Sequence, residues 1–113
     1  MRDDAYLLDM LLAARQAIKF TEASTAESFR DDQLVQNAVI RVLQVLGEAS
    51  RRVSPKFKQD HPAIPWAELA GLRNRLVHEY MKIDLAILWE VVQVDLEPLV
   101  RQLTAVVPRE DPI

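Results

Sequence analysis

Apolar residues return every three or four positions along four separate stretches of this chain, the spacing of amphipathic helices that bury one face against each other. The first stretch carries Leu7, Met10, Leu11, Ala14, Ala17 and Ile18, with Asp9, Arg15 and Lys19 on its other side. It predicts a helix over residues 5 to 20, capped by Asp3 or Asp4. Residues 25 to 30 are expected to form one short turn. Asp31 or Asp32 then caps a long helix to about Val53, buried by Leu34, Val35, Ala38, Val39, Val42, Leu46, Ala49 and Val53. Arg41, Gln44, Glu48 and Arg52 share its opposite face, where Glu48 stands four residues before Arg52, the favourable order for a helical ion pair.

The interruptions are equally specific. Ser54-Pro55 reads as an N-cap and first helical position of a short turn through Phe57 to Asp60. His61-Pro62-Ala63-Ile64-Pro65 is the clearest break, with His61 expected to face solvent. Pro65 opens the third long helix, buried by Trp66, Leu69, Leu72, Leu76 and Val77 and ending between His78 and Met81. Asp84 caps the fourth, with Ile83 placed to pack on Leu88 as a hydrophobic staple. That helix runs to about Val106, and Pro98 inside it predicts a kink or local break. Only two glycines punctuate the whole chain, which suits helix and little else. The expectation is an all-α fold, an antiparallel bundle of four to five helices forming one domain over residues 1–113.

Several classes of function are excluded by what is missing. Gly47 and Gly71 cannot build a phosphate loop. Two separated histidines without cysteine give no credible zinc site. Ser50 and Ser54 lack the elbow and the partner histidine of a serine hydrolase. No apolar run approaches the roughly 20 residues of a membrane span. With charges at Arg2, Asp3, Asp4 and Asp9 no signal-peptide core follows, so a cytoplasmic protein is expected. The net charge of −3 argues against nucleic-acid binding by the surface as a whole. Yet between residues 51 and 75 six basic residues (Arg51, Arg52, Lys56, Lys58, Arg73, Arg75) face only two acids, Asp60 and Glu68.

Beside that basic segment, and overlapping its end, Gly71-Leu72-Arg73-Asn74-Arg75-Leu76-Val77-His78-Glu79-Tyr80 holds the densest chemistry. At about 100° per residue, Arg73 falls roughly 40° from Leu69, inside the apolar arc of its own helix. A guanidinium aimed at the core needs a partner or a polar cavity. Asn74 and His78 lie one turn apart on a shared edge, where their side chains can meet. Arginine, asparagine, histidine and tyrosine together suit phosphodiester chemistry without a metal. Histidine moves protons near neutral pH, and arginine's fork matches a pair of phosphate oxygens. RNA supplies its own nucleophile in the 2′-hydroxyl. Glu48 has two readings, a surface partner of Arg52 or a group that orients the arginine–histidine site from a neighbouring helix.

Pro65-Trp66, then Gly71 to Tyr80, then Ile83-Asp84 and Trp89, resemble the HepT-like branch of the HEPN superfamily; Ala38-Val39-Ile40-Arg41 and Gly47-Glu48-Ala49 fit it too. Arg73-x4-His78-x-Tyr80 matches the nuclease motif of that superfamily. The resemblance implies a homodimer in which two motif copies face each other across a cleft and form a metal-independent endoribonuclease with no cofactor. Arg73 would hold the scissile phosphate, His78 would act as acid–base, and Asn74 would fix the imidazole or contact RNA. Glu48 would lend support. It further implies the toxin of a type VII toxin–antitoxin system acting on tRNA or mRNA. The partner would be an MntA-like nucleotidyltransferase that inactivates the toxin by transferring AMP to Tyr80. Two other readings stand beside it: a non-catalytic HEPN module that docks a nucleotidyltransferase, and a plain helical dimer with the polar cluster at its interface.

Overall fold

The computed structural model describes residues 2–79 and 82–108. Among these every regular element is helical: α1 (Arg2–Phe20), α2 (Ala26–Asp31), α3 (Gln33–Arg52), α4 (Pro55–Asp60), α5 (Trp66–His78), α6 (Leu85–Glu90) and α7 (Leu96–Val106). A π-helical turn, Val91–Asp95, joins the last two.

The caps explain most of the boundaries. Thr25 and Ser28 form a reciprocal capping box that makes α2 a true short helix rather than a single turn. Asp32 closes α2 with its N–H and opens α3 by accepting from the Val35 N–H at 3.1 Å. Ser54 caps α4 through the Phe57 N–H, with Pro55 in the first position. Asp84 caps α6 through the Ala86 N–H. Asp3 does not cap α1. It is buried in the first turn, where its carboxylate accepts from the Ser54 hydroxyl at 2.6 Å and the Ser54 N–H at 3.0 Å. These bonds, the hydroxyl's first, hold the Asp3 carboxyl below its ordinary pKa. They also tie the start of α1 to the α3–α4 corner.

α3 sits at the centre of the arrangement. It packs against α1 and against α5, and α1 packs in turn against α7. The core joins Leu7, Met10, Ala14 and Ala17 of α1 to Val39, Leu43 and Leu46 of α3, to Leu69 and Leu76 of α5, and to Leu88, Leu96, Leu99 and Leu103 further on. The expected apolar faces are largely recovered, with corrections; Leu43, absent from the expected face of α3, is fully buried. Leu34 is 81% exposed, because it lies in the first turn of α3, ahead of the core. Val77 is 40% exposed rather than buried. Phe29 on α2, absent from the expected core, is fully buried and meets Trp89 at 5.2 Å between ring centroids.

His61 is also not a free surface residue. Its ring stacks on Phe57 at 3.9 Å, its Nδ1 lies 3.0 Å from the Phe57 carbonyl, and its own carbonyl accepts from Trp66 Nε1 at 3.0 Å. The proline-rich break is thereby held as a defined corner leading into α5. Pro98 does not end its helix. The carbonyl that a fourth-residue bond would use there belongs to Val94, inside the π turn, where the ladder has already widened and the Leu96 N–H reaches back to the Val91 carbonyl. The irregularity expected at Pro98 is therefore found in the turn before it.

Candidate functional site

Arg73 is positioned by α3 as well as by its own helix. Its Nε lies 3.2 Å from the Glu48 carboxylate, and its Nη1 donates to Asn74 Oδ1 at 3.1 Å. It is the ion-paired arginine that its place in the apolar arc requires. A Cβ built on Gly47 would collide with Arg73 Cβ and come within 2.9 Å of its Cγ and 3.2 Å of its Cα. Gly47 is thus the gap through which the arginine stem passes between two packed helices. A mid-helix glycine costs about 1 kcal/mol in helix propensity, so close approach is the reason for it here.

Glu48 reconciles its two sequence readings. It lies 3.5 Å from Arg52 Nε and 3.9 Å from Arg51 Nη1 on α3, and at the same time meets Arg73 across the helix seam. Three guanidiniums converge on one carboxylate, leaving a local surplus of positive charge. Arg73 is 22% exposed and Glu48 38%, so the pair is open to solvent on one side. Each such half-exposed pair contributes at most about 1 kcal/mol. Its consequence is geometric. With Nε and Nη1 engaged, Arg73 Nη2 makes no hydrogen bond among the described residues and remains a donor without a protein acceptor there.

Gln44, four residues before Glu48, donates from Nε2 to the Leu76 carbonyl at 3.0 Å. It satisfies one of the carbonyls left open at the C-terminal end of α5, two residues before His78. His78 is the last residue of α5 and is exposed. It makes no hydrogen bond with Asn74 among the described residues; the Asn74 side-chain oxygen accepts from Arg73. Arg73, Asn74 and Glu48 are therefore brought together, while His78 stands one turn on at the helix end, facing solvent. Tyr80 lies outside the described residues.

Gln44 is not singled out by the sequence, and Gly47, quoted there for the resemblance, has a packing role that the sequence does not state. Gln44 falls on a face of α3 that its polar neighbours assign to solvent and that in fact meets α5. Gly47 carries a usable signal, being one of two glycines in the chain and standing in mid-helix. A groove of about 650 Å³ lies elsewhere. It runs between α5 and the α6–α7 rod over Leu69, Leu72 and Leu99, and is lined by Arg75 but by neither Arg73 nor His78.

Residues 10–106 match the family model described as HepT-like, Ribonuclease HepT-like. A protein of Methanocaldococcus jannaschii named "Putative RNase MJ1380" is 37% identical over 102 residues, covering 90% of this chain and 94% of that protein. One of Thermococcus cleftensis named "Probable ribonuclease HepT" is 40% identical over 94 residues, 83% of this chain and 86% of that protein. A third, from Caldanaerobacter subterraneus subsp. tengcongensis and named "Putative RNase TTE0752", is 30% identical over 105 residues, 93% of this chain and 94% of that protein. No solved structure matches.

Proposed function

The chain belongs to the HepT-like ribonuclease family, and from that premise we propose that it is a metal-independent endoribonuclease and the toxin of a type VII toxin–antitoxin system. The observation that carries the reading is Arg73: a guanidinium fixed by Glu48 and Asn74, with one nitrogen left over, on the same helix as an exposed histidine.

In the proposed reaction the 2′-oxygen of the RNA attacks the adjacent phosphorus and the bond from phosphorus to the 5′-oxygen breaks. The products are a 2′,3′-cyclic phosphate and a 5′-hydroxyl. His78 accepts the 2′-hydroxyl proton or delivers a proton to the leaving oxygen, and in a homodimer the two copies of His78 divide these tasks. Arg73 donates to the non-bridging oxygens as charge builds on them. Asn74 and Glu48 set the plane of that guanidinium. The exposed Val77 beside His78 supports a dimer in which two α5 ends meet.

The partner is a nucleotidyltransferase of the MntA type, acting in the cytoplasm. It joins the α-phosphorus of ATP to the Tyr80 hydroxyl oxygen and releases pyrophosphate. The added phosphodiester places bulk and negative charge where the RNA phosphate binds.

Expression of the chain is expected to stop growth and cut RNA, and both effects are lost in Arg73→Ala and in His78→Ala with helical content unchanged. Growth arrest that survives both changes would remove the nuclease assignment. Incubation with the partner and ATP is expected to add AMP mass to the tyrosine, absent in Tyr80→Phe; no gain would remove the regulatory step.

A further inference from the structure

We infer that Arg51, Arg52 and Lys58 form a track that binds the RNA strand beyond the phosphate being cut. The inference rests on reading the Arg73–His78 site as a ribonuclease site. The contacts run without a gap. Arg73 meets Glu48, Glu48 meets Arg52 and Arg51, and the Lys58 ammonium donates to the Arg51 carbonyl at 3.5 Å. A line of cations thus leads from the proposed cleavage point, over the end of α3, onto α4.

The charge is only partly cancelled locally. Glu48 is one carboxylate shared by three arginines. Asp60 pairs with Lys56 at 3.4 Å, so it neutralises that lysine and not the track. Asp3 is buried and hydrogen-bonded by Ser54, and its carboxylate lies near enough to Lys58 to offset part of that lysine's charge, leaving Arg51 and Arg52 as the main carriers. Arg51 and Arg52 are 63% and 59% exposed, so their forks are free to turn from Glu48 to a phosphate. Lys58 also lies 5.7 Å from the Trp66 ring centroid, which holds its stem against the corner before α5. Capping the negative end of α3 is the ordinary role for one cation there. Lys58 already serves a carbonyl of that end, and the two arginines' pairs with Glu48 are exposed surface pairs that contribute little stability. A row of exposed forks continuous with Arg73 suits a phosphate chain better than a folded acidic partner.

The test uses the full chain with Arg51→Gln, Arg52→Gln and Lys58→Gln combined, and two substrates. Uridylyl-adenosine has a single phosphate and cannot reach the track; a uridine 12-mer can. The combined variant is expected to cut the dinucleotide within about twofold of the parent, while kcat/KM on the 12-mer falls about tenfold or more through KM. In a His78→Ala background, the slope of log binding constant against log salt for the 12-mer should fall by about 2, at roughly 0.7 per phosphate contact on single strands. Arg51→Gln and Arg52→Gln alone should each lower it by about 0.7. An unchanged slope and KM would overturn the track. Unchanged RNA binding with lost capture of the nucleotidyltransferase would overturn it too, and assign the patch to that protein. If the parent cuts neither substrate yet its salt slope still depends on these residues, the cleavage reading fails and the track stands. If the parent binds no RNA, both fall.

Discussion

The two sides of α3 are built on different rules. Toward the core it presents Val39, Leu43 and Leu46, all fully buried, in a face where each side chain fills space and none is charged. Toward α5 it presents Gln44, Gly47 and Glu48, where one residue bonds a helix end, one is a gap and one holds a guanidinium. The first side supplies stability. The second supplies little of it and fixes the direction of one arginine. A single helix thus separates core packing from the seating of Arg73 by turning about a third of a circle, so the second face can be changed without emptying the core.

Substitutions on the two sides should therefore act on different readouts. Leu43→Ala leaves a cavity in the core side and is expected to cost about 2–5 kcal/mol of unfolding free energy, with RNA cleavage per folded molecule unchanged. Denaturant unfolding beside active-site-normalised rates checks this. Arg73→Ala reverses the pattern. Cleavage should fall about 10²–10³-fold, the loss seen when one transition-state donor is removed, while the unfolding midpoint barely moves. A large loss of stability in Arg73→Ala would erase the distinction.

Gly47→Ala lies on the boundary between the two. The added methyl must push α3 and α5 apart, at a cost of about 1–3 kcal/mol. Alanine's better helix propensity offsets up to about 1 kcal/mol of that. Cleavage should fall as well, since the group that this methyl would meet is the stem of Arg73. Glu48→Gln should change stability by less than about 1 kcal/mol. Removing the one anion among three arginines should lower KM for RNA while kcat falls, because Arg73 binds phosphate more readily but is no longer aimed.

The smallest effect belongs to neither side of the α3–α5 seam. The Asp3 carboxyl is held below its usual value of 3.8 by Ser54, so its contribution is complete above that value. It is lost as pH falls through the lower folded-state pKa. The melting temperature of the parent should drop in acid more steeply than that of Asp3→Asn, and the two curves should run parallel at neutral pH.

The helices were legible because their signals are local. Period, N-cap and proline lie within a few residues of each other, and Asp32, Ser54 and Asp84 cap the helices expected of them. What stayed hidden depends on residues far apart in the chain. Asp3 looks like a cap until Ser54 is brought to it, and His61 looks exposed until α4 folds under its ring. At the site, the need for a partner of Arg73 could be read from its place on the helix wheel, and Glu48 stood among the candidates. That α3 would also offer Gly47 as a gap and Gln44 as a clasp for α5 required knowing which face of α3 the later helix would use.

The central claim is that Arg73 and His78 act on an RNA phosphate whose neighbouring 2′-hydroxyl is the nucleophile. End-group analysis of a labelled RNA, treated with purified protein in excess chelator, tests it most directly. The expected result is a 2′,3′-cyclic phosphate and a 5′-hydroxyl, with cleavage abolished at a position carrying a single 2′-deoxy nucleotide. Cutting that continues at the deoxy position, leaves a 5′-phosphate or stops when metal is removed would contradict it.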